Sequence, residues 1–206
     1  MNTTCIHLIR HGEVHNPDQI LYGRLPRFRL SARGRAQARS AGDHLRAHDL
    51  RAVFSSPLLR TRQTAAEILT FFPNRRLHQT QRLIEVHTVY EGLPGARVDA
   101  LNGDIYTGAP PEYEQPADIV ARMQLFLQQA RRQFVGGQVA AVTHGDVIVF
   151  TMLWAKGFDL TAQNKVRLKK TGFPASYPAH ASITTLEFRT AAPDERPVVR
   201  YRQPWA

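Results

Sequence analysis

Cysteine is almost missing from these 206 residues. Cys5 stands alone, so no disulfide can close within the chain, and a reducing compartment suits it. Lysine is nearly as scarce. It occurs only at Lys156, Lys165, Lys169 and Lys170, so arginine supplies the rest of the 27 basic residues behind the formal net charge of +10. Guanidinium groups hold phosphate and carboxylate in a planar fork, and this bias points toward anions, with compositional arginine usage as the plain competitor. Long apolar runs are absent too. The longest, around Val147 to Ala155, is too short to span a bilayer, and the chain opens without the basic-then-apolar pattern of a signal peptide. The expectation is a cytoplasmic protein with no membrane partner. No aromatic-interleaved basic tract accompanies the charge, so nucleic acid is not an expected partner. No internal repeat or low-complexity tract exists. A composition 43% hydrophobic and 21% charged is globular, and the length suits one domain spanning 1–206.

The most informative feature present is Leu8-Ile9-Arg10-His11-Gly12-Glu13. An apolar run ends abruptly in a cation and an imidazole, which do not suit the tip of a buried strand for packing alone. The pattern recurs far downstream, where Val139-Ala140-Ala141-Val142 runs into Thr143-His144-Gly145. Cys5, inside the first run, is expected to be a buried core residue.

Periodicity predicts strands over Thr4–Ile9, Ala52–Ser55, Arg82–Val86 and Gln138–Val142, with two more near the sheet edge at Ser182–Phe188 and Pro197–Arg202. Helices are predicted from Ser31 as N-cap, with Gly34, Ala38, Ala41 and Leu45 on one face, and after Ser56 with Pro57 in the first helical position. Further helices run from Ala117 to about Phe134 and from about Asp146 to Lys156. Between Thr88 and Pro116, Gly and Pro punctuate a segment without period, a lid-like insertion at about 88–116. Strands alternating with helices predict an α/β fold: a three-layer α/β/α sandwich with a mostly parallel central sheet. In such sheets ligands bind beyond the carboxyl ends of the strands. Arg10, His11, Arg60, Glu85, His144 and Gly145 all fall there.

Together, Arg10-His11-Gly12-Glu13 with Asn16, Leu30 to Ala38, Ser55 to Ala65, Leu83-Ile84-Glu85 and Thr143-His144-Gly145 resemble the histidine phosphatase superfamily, the phosphoglycerate mutase-like group. The resemblance implies that His11 is a nucleophile forming a phosphohistidine. It implies that Arg10, Arg60 and His144 complete a cationic pocket, and that Glu85 protonates the leaving oxygen. It calls for no metal and no cofactor, and for a small phosphorylated substrate. Phosphoryl transfer is catalysed chiefly by positioning and charge stabilisation, and two guanidiniums beside His11 would keep it deprotonated by like-charge repulsion. Gly12 and Gly145 would let backbone approach the phosphate. Arg24, with Tyr22, Arg27, Phe28 and Arg29, either shapes the distal substrate site or forms an exposed loop. Asn16 either touches phosphate or turns the chain with Pro17, and it stands one position earlier than the commonest family spacing. Two other departures are the shortened stretch Val86 to Gly92 after Glu85, and His180-Ala181-Ser182-Ile183 where an Asn-containing turn is frequent.

The short chain and modest insertion favour a metal-independent phosphomonoesterase of histidine acid phosphatase type over a cofactor-dependent, phosphoglycerate mutase-type phosphotransferase. Two further readings compete: a metal-dependent hydrolase using His11, Glu13 and His15, and a non-catalytic basic module for phospho-ligands or nucleic acid. His7, His15, His44, His48, His78, His87 and His180 match no motif and read as structural or surface. Oligomeric state is not legible.

Overall fold

A computed structural model describes residues 3–205. Six strands form one sheet: β1 (Thr4–Arg10), β2 (Leu50–Ser55), β3 (Leu77–Gln79), β4 (Gln138–Thr143), β5 (Ile183–Phe188) and β6 (Val198–Arg202). Their spatial order is β3-β2-β4-β1-β5-β6. β1 pairs parallel with β4, β4 with β2 and β2 with β3, while β5 runs antiparallel to both β1 and β6. The helices are α1 (Ala32–Leu45), α2 (Leu59–Leu69), α3 (Gly95–Ala100), α4 (Pro116–Gln133), α5 (Gly145–Lys156) and α6 (Ala162–Val166). None is long and apolar enough to cross a membrane among the described residues.

The three expected layers follow from the period of two in the strands. Ile6 and Leu8 of β1, with Val139 and Ala141 of β4, bury on one face against Ile119, Met123 and Phe126 of α4 and the apolar body of α5. Ile9, Ala140 and Val142 turn to the other face, against Ala41 and Leu45 of α1 and Ala65 and Ile68 of α2. A strand covered on both faces must be apolar throughout, which is why β1 and β4 read as continuous runs. The 88–116 segment is less irregular than its sequence suggests: it holds α3, and Ile105 and Tyr106 are buried in the first core.

Three local expectations need correction. The third strand is Leu77–Gln79, and Arg82–Val86 instead begins in a 3₁₀ turn over Gln81–Leu83. Pairing with β2 ends at Ser55 opposite Gln79, and Thr80 then caps the turn by accepting from the Arg82 N–H. Helix α2 starts at Leu59, leaving Pro57 outside it. The Ser56 N–H still donates to Val142 of β4, so the backbone stays extended through Leu58. Cys5 is half-buried, since it lies opposite Glu187 on β5 and outside either core cluster.

Candidate active site

The register of the central strands assembles the site. Arg10 of β1 lies opposite Thr143 of β4, so His11 and His144 leave adjacent strand ends together, tied by the His11 N–H to the Thr143 carbonyl at 3.0 Å. Their rings meet edge to face with centroids 5.4 Å apart. β2 delivers Arg60 in the first turn of α2, with 1% of its surface exposed. Glu85 follows the 3₁₀ turn, which Thr143 Oγ1 holds by donating to the Leu83 carbonyl at 2.8 Å.

The hydrogen bonds determine which imidazole nitrogen is free. His11 Nδ1 lies 2.8 Å from the Gly12 carbonyl, which only accepts. Nδ1 therefore carries the proton and Nε2 keeps its lone pair. Burial foremost, then the Arg60 and Arg10 charges, hold His11 well below the usual imidazole range, so it is neutral at pH 7. Like-charge repulsion from the two guanidiniums is thus the second cause. His144 is neutral for the same leading reason. Its Nδ1 accepts from Arg60 Nη2 at 3.2 Å, and its Nε2 donates to Ser56 Oγ at 2.9 Å.

Glu85 Oε2 lies 3.4 Å from His144 Nδ1 and 3.7 Å from Arg60 Nη2. Burial raises the Glu85 carboxyl above its ordinary range against the opposing pull of Arg60, with Asp146 adding to the rise. Arg60 also donates to the Gly23 carbonyl at 2.7 Å and stands 4.7 Å over the Tyr22 ring. Arg10 donates to the Pro178 carbonyl at 2.7 Å and stands 5.0 Å over Tyr177. Each guanidinium keeps a buried Nε–H without a partner, donor capacity that protein groups leave unspent. Arg10, His11, Glu85 and Gly145 line a cavity of about 400 Å³. Gly145 opens α5, whose partially positive end adds to the cationic field.

The other predicted residues have different tasks. Asn16 spends its side chain on Ile20, donating to its carbonyl at 2.9 Å and accepting from its N–H at 3.3 Å, so it shapes the loop. Arg24 does not line the cavity. It donates from Nε to the Glu85 carbonyl and from Nη2 to Glu114, each at 2.7 Å, and so fixes the backbone that carries Glu85. Gly12 donates to Thr64 Oγ1, and a Cβ there would lie 2.3 Å from the Gly34 carbonyl oxygen, so close packing on α1 requires this glycine. At Gly145 a Cβ would meet the Tyr177 hydroxyl at 2.2 Å.

The trio His11, Glu13 and His15 does not converge. Glu13 accepts from Ser31 Oγ at 2.7 Å, and His15 is exposed. The groups within 4.8 Å of one another are His11, Glu85 and His144. Two guanidiniums share that space, and their charge favours an anion there.

Sequence reasoning missed His180, whose ring centroid is 5.7 Å from that of His11. Burial and Arg10 lower its pKa to about 3. It missed Asp146, a buried carboxylate accepting from Tyr106, Tyr177 and Lys165. A charge directly after His144-Gly145 on an otherwise apolar helix was the available signal. Nothing in the pattern around Lys165 or Tyr177 announces their arrival.

An uncharacterized protein of Mycobacterium tuberculosis (strain ATCC 25618 / H37Rv), Rv0525, is 39% identical over 147 residues, covering 68% of this chain and 73% of its own. Among solved structures, Bacillus stearothermophilus YhfR is similar with a TM-score of 0.76 and 26% identity, over 92% of this chain and 93% of its own. Mycobacterial glucosyl-3-phosphoglycerate phosphatase Rv2419c shares the fold at a TM-score of 0.74 and 23% identity, over 97% and 96%. Phosphoserine phosphatase from Entamoeba histolytica does so at 0.74 and 24%, with the same coverage. The family model for the histidine phosphatase superfamily (branch 1) matches residues 6–191, and with strands, helices and paired histidines arranged as described, the chain belongs to that superfamily.

Proposed function

We propose that the protein hydrolyses a small phosphomonoester through a phosphohistidine on His11. The observation that carries this reading is a neutral imidazole with its Nε2 lone pair free, buried beside Arg60 and Arg10 at the floor of a cavity. Phosphatases among proteins of the same fold support the reaction class. In the first step His11 Nε2 attacks phosphorus in line, the N–P bond forms and the P–O bond to the alcohol breaks. Glu85, whose protonated form burial favours, gives its proton to the departing oxygen. The positive charge that develops on the ring is met by the Gly12 carbonyl at Nδ1. Arg10 and Arg60 bear the charge of the equatorial oxygens, and neutral His144, which accepts from Arg60 Nη2, holds that guanidinium in place. In the second step water attacks phosphorus, Glu85 takes its proton, and the N–P bond breaks to release phosphate. No step needs a metal or cofactor. The insertion at 88–116, within one domain, acts as a wall over the leaving group, with Val98 and Ile105 on the cavity.

A chelator-treated assay on a phosphomonoester panel tests this reading. Wild type is expected to turn over, to form an acid-labile phosphoenzyme on rapid quenching, and to be indifferent to chelator. His11→Ala should lose about three orders of magnitude or more in kcat and the labelled intermediate with it. Wild-type rates in His11→Ala would refute the nucleophile assignment. Loss to chelator with restoration by a divalent ion would favour metal-assisted hydrolysis.

A further inference from the structure

We propose that the substrate is a phosphomonoester whose alcohol is apolar and carries no second negative charge. This rests on the phosphatase reading and adds its substrate class. Away from His11 the cavity wall is aliphatic, built from Leu21, Val86, Val98, Ile105 and Val166. These come from separate stretches: the loop after β1, the residues after Glu85, the insertion, and α6. The convergence of five aliphatic side chains from four stretches is a built surface and not the stripe of one helix. Val86 and Ile105 are buried and anchor this wall in the core, while Leu21 and Val98 are only half-buried and Val166 is 46% exposed, so its outer part is left open to a ligand.

Charge argues in the same direction. Apart from Arg10, the cation on the cavity wall is Lys165. Its ammonium lies 2.6 Å from Asp146 Oδ2 and donates to the Gly103 carbonyl at 2.8 Å. The second Asp146 oxygen takes the Tyr177 hydroxyl at 2.5 Å, so the lysine is neutralised inside a closed network. Beyond these and the groups assigned to the reaction, Arg10, His11 and Glu85, the polar lining is Tyr22, Thr88, Asn102 and Ser176, all uncharged. A carboxylate or second phosphate would have to break the Asp146–Lys165 pair or lie unpaired against aliphatic wall, and both are unfavourable. An alkyl or aryl group gains instead, by roughly fourfold in affinity for each methylene fully buried. A cavity of about 400 Å³ accepts a group of that size.

The test uses non-hydrolysable n-alkylphosphonates, with Kd read by calorimetry on the whole protein, beside turnover of the matching n-alkyl phosphates. Hexylphosphonate is expected to bind at least tenfold tighter than ethylphosphonate, and propylphosphonate at least tenfold tighter than 2-carboxyethylphosphonate. kcat/KM should follow the same order in the esters, with 3-phosphoglycerate and phosphoserine poor. Val166→Asn, at an exposed position, should cut the hexyl-to-ethyl ratio about threefold, and Val98→Asn should do the same from the insertion side. Equal affinities along the alkyl series, or tighter binding of the carboxylate, would overturn the substrate class while leaving hydrolysis standing. Graded binding with no turnover of any ester would support the pocket and refute the phosphatase reading.

Discussion

A single carbonyl settles the chemistry available to His11. Because Gly12 can only accept, Nδ1 is held as the donor and Nε2 is left bare, while burial removes the alternative of a charged ring. Glu85 is held in the opposite sense, with burial favouring its protonated form over the ordinary carboxylate. The sign follows directly: the acid is present below its raised pKa and is lost as pH rises through it. For alkyl esters, whose leaving oxygen needs a proton, kcat is therefore expected to fall as pH rises above the ordinary carboxylate range. Glu85→Gln should abolish that limb and lower the rate about 100-fold or more, while p-nitrophenyl phosphate, a good leaving group, loses less. Equal losses on both substrates would remove the acid role from Glu85.

Elements position these residues through two kinds of contact, strand register and glycine packing. The Gly12 loop and the start of α1 interlock: a Cβ on Gly34 would lie 2.0 Å from the Glu13 carbonyl oxygen, as one on Gly12 would press on Gly34. Backbone atoms cannot swing aside, so Gly34→Ala is expected to cost about 2–3 kcal/mol in urea unfolding and to lower kcat by displacing His11. Ser31 caps the same helix by accepting from the Gly34 N–H at 2.9 Å and donating to Glu13, so Ser31→Ala should cost about 1 kcal/mol. Unchanged unfolding midpoints in both variants would show that the loop does not depend on α1. Arg24 plays the same part for the Glu85 backbone, and its reach from a loop across to residue 85 has no periodic signature.

At the scale of the whole molecule, the sheet buries apolar residues on both faces and some neutral histidines with them. His7 is 3% exposed, bonded to Thr185 and Gln138 at 2.9 Å each, and its pKa is lowered to about 4. The unfolded chain binds that proton near the ordinary histidine value. The stability His7 supports is thus complete above about pH 6.5 and is lost as pH falls toward 4. Between pH 6.5 and 5 the loss is about 1.5–2 kcal/mol from this residue alone, with His180 adding in the same direction. Denaturant titrations at the two pH values should show the fall, and His7→Gln should shrink it by that amount. An unchanged pH dependence in His7→Gln would mean that His7 is protonated in the folded state.

The layers were legible in the amino-acid order because a strand buried on two faces must be apolar throughout, and a helix buried on one must repeat its apolar residues every turn. The same logic exposed the site: a cation and an imidazole closing an apolar run, twice, mark strand ends that parallel pairing brings together. What the order of residues left open was every contact between elements without period. The irregular backbone before Glu85, the reassignment of Asn16 and Arg24 to loop bracing, His180 beside His11, and the Asp146–Lys165 pair all arise from distant segments meeting. Such meetings depend on the three-dimensional path of loops, because local propensity acts over a few residues and cannot register a partner dozens of positions away.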